Sequence, residues 1–315
     1  MHVLIAGAGI AGLATALRLT RDGHRVTIVE RAPARRSGGY LVNLLGSGFD
    51  AAEALDLVSA LREHDQGVFT SNLVRTDGTT RLRMPAALAE TSLGDRAITL
   101  FRGDLESVLY ESVRERAELR FGTTVTAVSD HGADPVRVTL SDDTALDADL
   151  VIGADGLHSG VRRLVFGPDS DAVVPLDHVV GAVPLDSPPA GLAEQTADTF
   201  IDVGRTAAAF RPRGHRASVF FTYRTNAVDH DLAAGPAAAV AERFGDLGGG
   251  LGEALDRAGD AGDVYFDAVS HVVLPSWSRG RVALLGDAAW CVSLFAGHGA
   301  GLALAGADRL GAALA

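Results

Sequence analysis

The 315 residues contain no lysine, so all 28 basic side chains are arginine. This excludes a phosphate-binding loop ending in Lys-Ser/Thr, a Schiff-base lysine and a lysine general base. Arginine stays charged and meets phosphate with a planar fork, so an anion gripped by this chain is gripped that way. Cysteine is nearly as scarce, with Cys291 alone. No intrachain disulfide can form, and a reducing, cytoplasmic setting is the expectation. No apolar run reaches the roughly eighteen residues of a spanning helix. The ten histidines lack ligand spacing with cysteine or acids, so no metal is expected. A G-x-S-x-G nucleophile elbow is missing too.

Positive charge also runs short. There are 40 acids against 28 bases, a formal charge of -12. An acidic surface argues against nucleic acid or an anionic membrane as partner. The 47% apolar and 22% charged residues are those of an ordinary globular chain, long enough for about two domains.

What is present is most informative at the start. Residues 2–6 form a short apolar run of strand character. Gly7, Gly9 and Gly12 follow in G-x-G-x-x-G spacing, and residues 10–21 place apolar side chains at helical intervals. Asp22 and Gly23 end that helix, and a second strand, 25–29, closes on Glu30. This is a dinucleotide-binding unit. Its glycines let the backbone approach a pyrophosphate at a helix N-terminus, and its terminal acid accepts from a ribose diol.

Farther on, residues 37–48 are a glycine-punctuated stretch, 50–62 predict an amphipathic helix, and 68–83 a hairpin turning at Asp77 and Gly78. Arg102 opens RGDLESVLYESV, with a helical apolar face. Residues 119–128, 136–140 and 149–152 read as strands, and GADGLHSGVRR follows at 153–163. From about 165 to 270 the texture becomes alternating strands with an Ala/Gly-rich helical piece near 232–258. A buried strand then returns at 282–285, GDAAW follows at 286, and a glycine-rich loop, 297–301, opens a last helix. The expected division is 1–164 and 271–315 for the nucleotide domain, and 165–270 for a substrate domain.

The ordered string of G-x-G-x-x-G, Glu30, Arg102, GADG at 153–156 and GDAA at 286–289 resembles the FAD-dependent aromatic hydroxylases of the para-hydroxybenzoate hydroxylase type. The resemblance runs over essentially the whole chain. It implies an α/β fold, a Rossmann-like FAD-binding domain with an inserted α+β substrate domain on an antiparallel sheet. It places Gly7, Gly9, Ala11 and Gly12 at the FAD pyrophosphate, Glu30 at the adenosine ribose, Arg31 among the cofactor contacts, and Val125 at the adenine edge through its backbone. Arg102 would lie along the ribityl and pyrophosphate, where its forked donors suit the charge. Asp155 and Gly156 would shape the approach of FAD and the nicotinamide. A helix-capping Asp155 paired with Arg162 is the equal alternative. Gly286 and Asp287 would meet the ribityl hydroxyls. Gly297, Gly299 and Ala300 would bring a helix N-terminus to the isoalloxazine.

For the pocket lining, Tyr40, Asn43, Tyr223 and Trp290 are the candidates, with His298 between reaching the flavin and facing solvent. Cys291 reads as a small core residue. Two positions depart from the family pattern: Trp290 stands where it has His, and Leu294 where it has Pro. Gly301 replaces an asparagine-like position. Such relatives also continue beyond the last helix, whereas this sequence stops at Ala315 inside it.

The resemblance implies a monooxygenase with FAD as cofactor and NADPH or NADH as transient electron donor. A flavin C4a-hydroperoxide would deliver a hydroxyl to an aromatic or polyketide-like small molecule, with O2 as co-substrate. The protein would be a monomer or homodimer. Two alternatives stay open: a non-hydroxylating FAD oxidoreductase of natural-product metabolism, and an FAD-binding protein lacking turnover. A lysine-dependent flavin halogenase is excluded.

Overall fold

His2–Ala6 is a central strand of a six-stranded sheet in the computed structural model of the protein. The structure describes residues 1–35, 40–132, 135–258 and 264–315, without the side chains at 89 and 92. The start of the glycine-punctuated stretch, residues 37–39, lies outside the described residues.

The sheet runs Ser278–Arg279, Val282–Leu284, Leu150–Gly153, His2–Ala6, Arg25–Glu30 and Glu118–Phe121. All neighbours pair in parallel except the first two. The strands are short and apolar because both faces are covered. Val3 and Ile5 point to the helices Ile10–Arg21 and Gly299–Leu314, while Leu4 and Ala6 point to a small antiparallel sheet of Val125–Ser129, Val136–Leu140 and Ala145–Ala148. This is the Rossmann-like layer expected.

Above it lies a seven-stranded sheet: Tyr265–Val272, Val173–Pro184, Ser218–Arg224, Arg205–Arg211, Thr196–Asp202, Thr70–Val74 and Thr80–Met84. Four of the first five are the antiparallel strands foreseen in 165–270; the edge strand Tyr265–Val272 was not foreseen and runs past that bound. The last two are the hairpin near 68–83, which joins this sheet by parallel pairing of Thr70–Val74 with Thr196–Asp202. Three helices, Val228–Ala234, Pro236–Phe244 and Gly249–Ala258, cover its far face, where a helix or two was expected near 232–258.

Two other expected elements divide. The helix over 50–62 is two, Ser47–Ala54 and Val58–Arg62. Leu55 and Leu57 are both buried, and the chain turns between them at Asp56 with φ 51°, a conformation acidic and amide side chains tolerate better than most. The strand over 119–128 is also two. Gly122, at φ 69°, turns the chain from the six-stranded sheet into the three-stranded one.

Candidate active site

Between the two large sheets lies a cavity of about 380 Å³. Its floor begins at the N-terminus of Ile10–Arg21. Gly9 caps that helix without a side-chain hydrogen bond, so the first-turn N–H groups remain available to an anion. A Cβ on Gly9 would lie 3.9 Å from the Arg102 guanidinium and 3.7 Å from the Glu106 carboxylate, narrowing the gap between loop and arginine. Gly9, Ala11, Arg102 and Gly156 all line the cavity.

Arg102 is the first residue of the helix Arg102–Val113, and its Nη2 lies 2.7 Å from Glu106 Oε1 one turn on. Glu106 thus aims the guanidinium along the floor. Glu30 closes the other side of the glycine loop. Its Oε2 accepts from the Ala8 N–H and its Oε1 from the Ala32 N–H, both at 2.8 Å. Sequence reasoning missed that backbone role, and it leaves each oxygen a second lone pair for a ribose hydroxyl. Arg31 beside it is exposed, and Val125 is buried at the start of its strand. Two residues before Val125, the Thr123 N–H bonds the Glu30 carbonyl at 2.9 Å, which ties this corner to the end of Arg25–Glu30.

Gly7 and Gly12 sit behind the loop. A Cβ on Gly7 would meet the Ala154 carbonyl at 2.4 Å, so the glycine loop and the 153–156 motif touch backbone to backbone. Asp155 acts on its own segment: Oδ1 accepts from the Ser159 hydroxyl at 2.5 Å and Oδ2 from the Val161 N–H at 3.1 Å. The capping alternative is therefore present in the geometry. The Asp155–Arg162 pair is not. Arg162 is fully buried and bonds Asp169, the Leu157 carbonyl and the Ala288 carbonyl, tying the 153–158 segment to the 286–290 turn.

Asp287 follows Gly286, whose φ of 64° brings its backbone against Ala11, where an added Cβ would lie 2.7 Å from the alanine methyl. Asp287 is exposed, and its exposed side faces into the cavity, where the enclosing walls limit hydration of the carboxyl. That loss of hydration raises its pKa above the ordinary value, with Arg102 and a hydrogen bond from Cys291 partly offsetting the rise. Cys291 also borders the cavity and is half-buried. Burial, with Asp287 adding to it, pushes its thiol up to about 11.

Gly297, Gly299 and Ala300 line the same cavity at the start of Gly299–Leu314. This helix runs parallel to Ile10–Arg21. The Ala11 and Ala303 methyls both lie near Gly286, and Arg18 meets Asp308 at 3.4 Å. Two helix N-termini therefore converge on one floor, where their unpaired N–H groups favour negative charge.

The sequence candidates for the pocket divide. Tyr40 and Asn43 line the cavity, and the Tyr40 ring packs on Tyr265 with centroids 5.6 Å apart. Burial raises both phenol pKa values, and Asp287 adds to the effect. Tyr223 does not line it. It is 1% exposed on the opposite face of its strand, against Phe244 and Arg243. Strand side chains alternate, so Phe220 takes the cavity face and Tyr223 the helix face. Trp290 also turns away, stacking edge-on to Trp277 at 4.8 Å and lying against Gly306 of the last helix. His298 is exposed as the N-cap of the last helix and borders no part of the cavity. Phe210, Phe220 and Tyr265 were not anticipated. The alternation in ASVFFTYR carried the signal for Phe220, since Val219, Phe221 and Tyr223 form one apolar set.

Comparison with known proteins shows the family. The family described as FAD binding domain matches residues 1–229. An uncharacterized protein of Mycobacterium tuberculosis is 34% identical over 97% of this chain and 82% of its own length. An FAD-dependent monooxygenase of Sarocladium schorii is 33% identical over 100% of this chain and 76% of its own. The crystal structure of tetracycline destructase Tet(51) superposes with a TM-score of 0.85 at 29% identity, over 99% of this chain and 81% of that one.

Proposed function

This chain belongs to the FAD binding domain family and is an FAD-dependent monooxygenase; from that premise we propose that it takes electrons from NADPH or NADH and hydroxylates an aromatic or polyketide-like small molecule with O2. One observation carries the reading. Arg102, Asp287 and two open helix N-termini converge on one cavity roofed by a separate, mainly antiparallel sheet.

Bound FAD supplies acceptance of a hydride and activation of oxygen. The chain's own residues do the rest. The first turn of Ile10–Arg21 and Arg102 would hold the pyrophosphate, Glu30 the ribose and Asp287 the ribityl hydroxyls. The N–H groups at Gly299 and Ala300 would oppose negative charge on the reduced ring. The sheet of residues 165–270, extended by the 70–84 hairpin, would exclude water over the reacting face. The apolar roof supports a bulky ring substrate, and the name of the solved tetracycline destructase supports a polyketide-like one.

The test is spectroscopic. Purified protein should show the flavin absorption band, NADPH or NADH added without oxygen should bleach it, and oxygen with substrate should restore it and give a hydroxylated product. Failure to bind FAD overturns the reading. FAD that no nicotinamide reduces overturns the donor. Leu294 lines the cavity where the family has proline, and this favours a non-hydroxylating flavin oxidoreductase as the second reading. Peroxide release alone across a broad panel of aromatics would select it.

A further inference from the structure

We infer that the substrate is electrically neutral, a hydroxylated aromatic without a carboxylate, and that the roof selects against aromatic acids. This rests on the monooxygenase reading and deepens it to a substrate class.

The roof side of the cavity is built from three kinds of side chain: aliphatic, aromatic and hydroxyl. Val180 and Ala182 come from one strand, Phe210 and Phe220 from the next two, and Ala268 and Ser270 from the edge. Ser218 completes it, more than nine-tenths buried. Among the described residues that line the cavity, Arg102 is the sole cation. It belongs to the floor, where it faces Glu106 at 2.7 and 3.4 Å and would be committed to the FAD pyrophosphate. Asp287, the one carboxylate among the described lining residues, adds no positive charge. An aromatic acid entering here would have to leave its carboxylate's water shell without a partner charge, the costliest form of burial. A neutral phenol loses only a hydroxyl's hydration, and Ser218, Ser270, Tyr40 and Tyr265 are placed on the wall to replace it.

The strand register explains why the roof is neutral. On Arg205–Arg211 the inward Ala208 and Phe210 alternate with Ala207 and Ala209, which pack on the helices, so apolar residues fill both faces. The arginines of that strand stand at its ends: Arg205 binds Asp246, and Arg211 the Leu192 carbonyl. Neither lines the cavity.

The probe is a matched pair, 2-naphthol and 3-hydroxy-2-naphthoate, titrated at neutral pH into FAD-loaded protein. Perturbation of the flavin band is one readout, and tryptophan and tyrosine fluorescence, which needs no flavin, is the second. The naphthol should bind at least tenfold more tightly. Phe220→Arg should shift that ratio toward the naphthoate by tenfold or more. Tyr265→Arg, at a more exposed cavity position, is the second variant should the first not fold. Equal or tighter binding of the naphthoate by the unaltered protein overturns the inference, as does a ratio unmoved in both variants. Loss of hydroxylation with the naphthol preference intact would strike only the monooxygenase reading.

Discussion

Arg102 and Glu106 face each other across one helical turn at the cavity floor, Nη2 to Oε1 at 2.7 Å, with the glutamate the more buried partner. The pair makes the arginine a fixed anion receptor. Arg102→Ala should weaken FAD binding by roughly 10- to 100-fold, the worth of one or two charge-assisted hydrogen bonds. It should also lower the melting temperature, because the Arg102–Glu106 ion pair is broken. The double variant Arg102→Ala/Glu106→Ala should recover the melting temperature and not the flavin. Equal flavin occupancy in the single variant and the parent would remove Arg102 from the site.

Tyr223 lies on the helix side of the roof, so Tyr223→Phe should leave substrate affinity unchanged. Tyr223→Ala should cost about 3–5 kcal/mol of stability, as large aromatic truncations in a core do. Thermal melts and substrate titrations on the same preparations check both. A changed substrate affinity in Tyr223→Phe would return that residue to the pocket wall.

Gly48 and Gly301 pass backbone to backbone where Ser47–Ala54 crosses the last helix: a Cβ on Gly48 would lie 2.7 Å from the Gly301 Cα. Gly48→Ala should therefore force the helices apart at a cost of ~1–3 kcal/mol. The same helix begins at the Gly299 and Ala300 floor, so flavin retention should fall as well. A variant as stable and as yellow as the parent would contradict this.

Limited hydration within the cavity raises the Asp287 pKa, so the folded protein holds this proton to higher pH than the unfolded chain does. The group's contribution to stability is then fully present below the ordinary carboxylate pKa of about 4 and is lost as pH rises through the raised value. In flavin-free protein, Asp287→Asn should remove that decline, and denaturant midpoints across the window should show it. Parallel pH profiles for parent and variant would refute the shift.

With its pKa near 11, the Cys291 thiol is ionised to only about one part in a thousand at pH 8. Alkylation by iodoacetamide should be slow in the flavin-free protein and slower with FAD bound. Rapid labelling, unaffected by FAD, would place the thiol outside the cavity.

The floor was legible in the sequence because its residues act through backbone spacing and fixed charge. Glycine intervals, an arginine opening a helix and an acid after a buried strand all leave local marks. The roof was legible as strands and less so as a surface. Telling Phe220 from Tyr223 requires the parity of one strand relative to a cavity that only the tertiary arrangement creates. Trp290 shows a different limit. Its position beside GDAA suggested the pocket, yet the turn Asp287–Trp290 points it at Trp277 and Gly306, partners distant in sequence. The 68–83 hairpin was foreseen from its Asp-Gly turn, but its membership in the roof depends on pairing with strand 196–202.

That pairing, together with the parallel match of Val282–Leu284 to Leu150–Gly153, sets an order on biosynthesis. As the chain leaves the ribosome, every strand of the roof, through Val272, emerges before the strand that completes the floor. Until then, Leu150–Gly153 presents an open edge to its surroundings, a template for unwanted pairing. A roof that folds early draws the ends of the intervening segment together and lowers the entropic cost of closing it. Slowed translation between residues 272 and 282 would lengthen the time that edge stays bare.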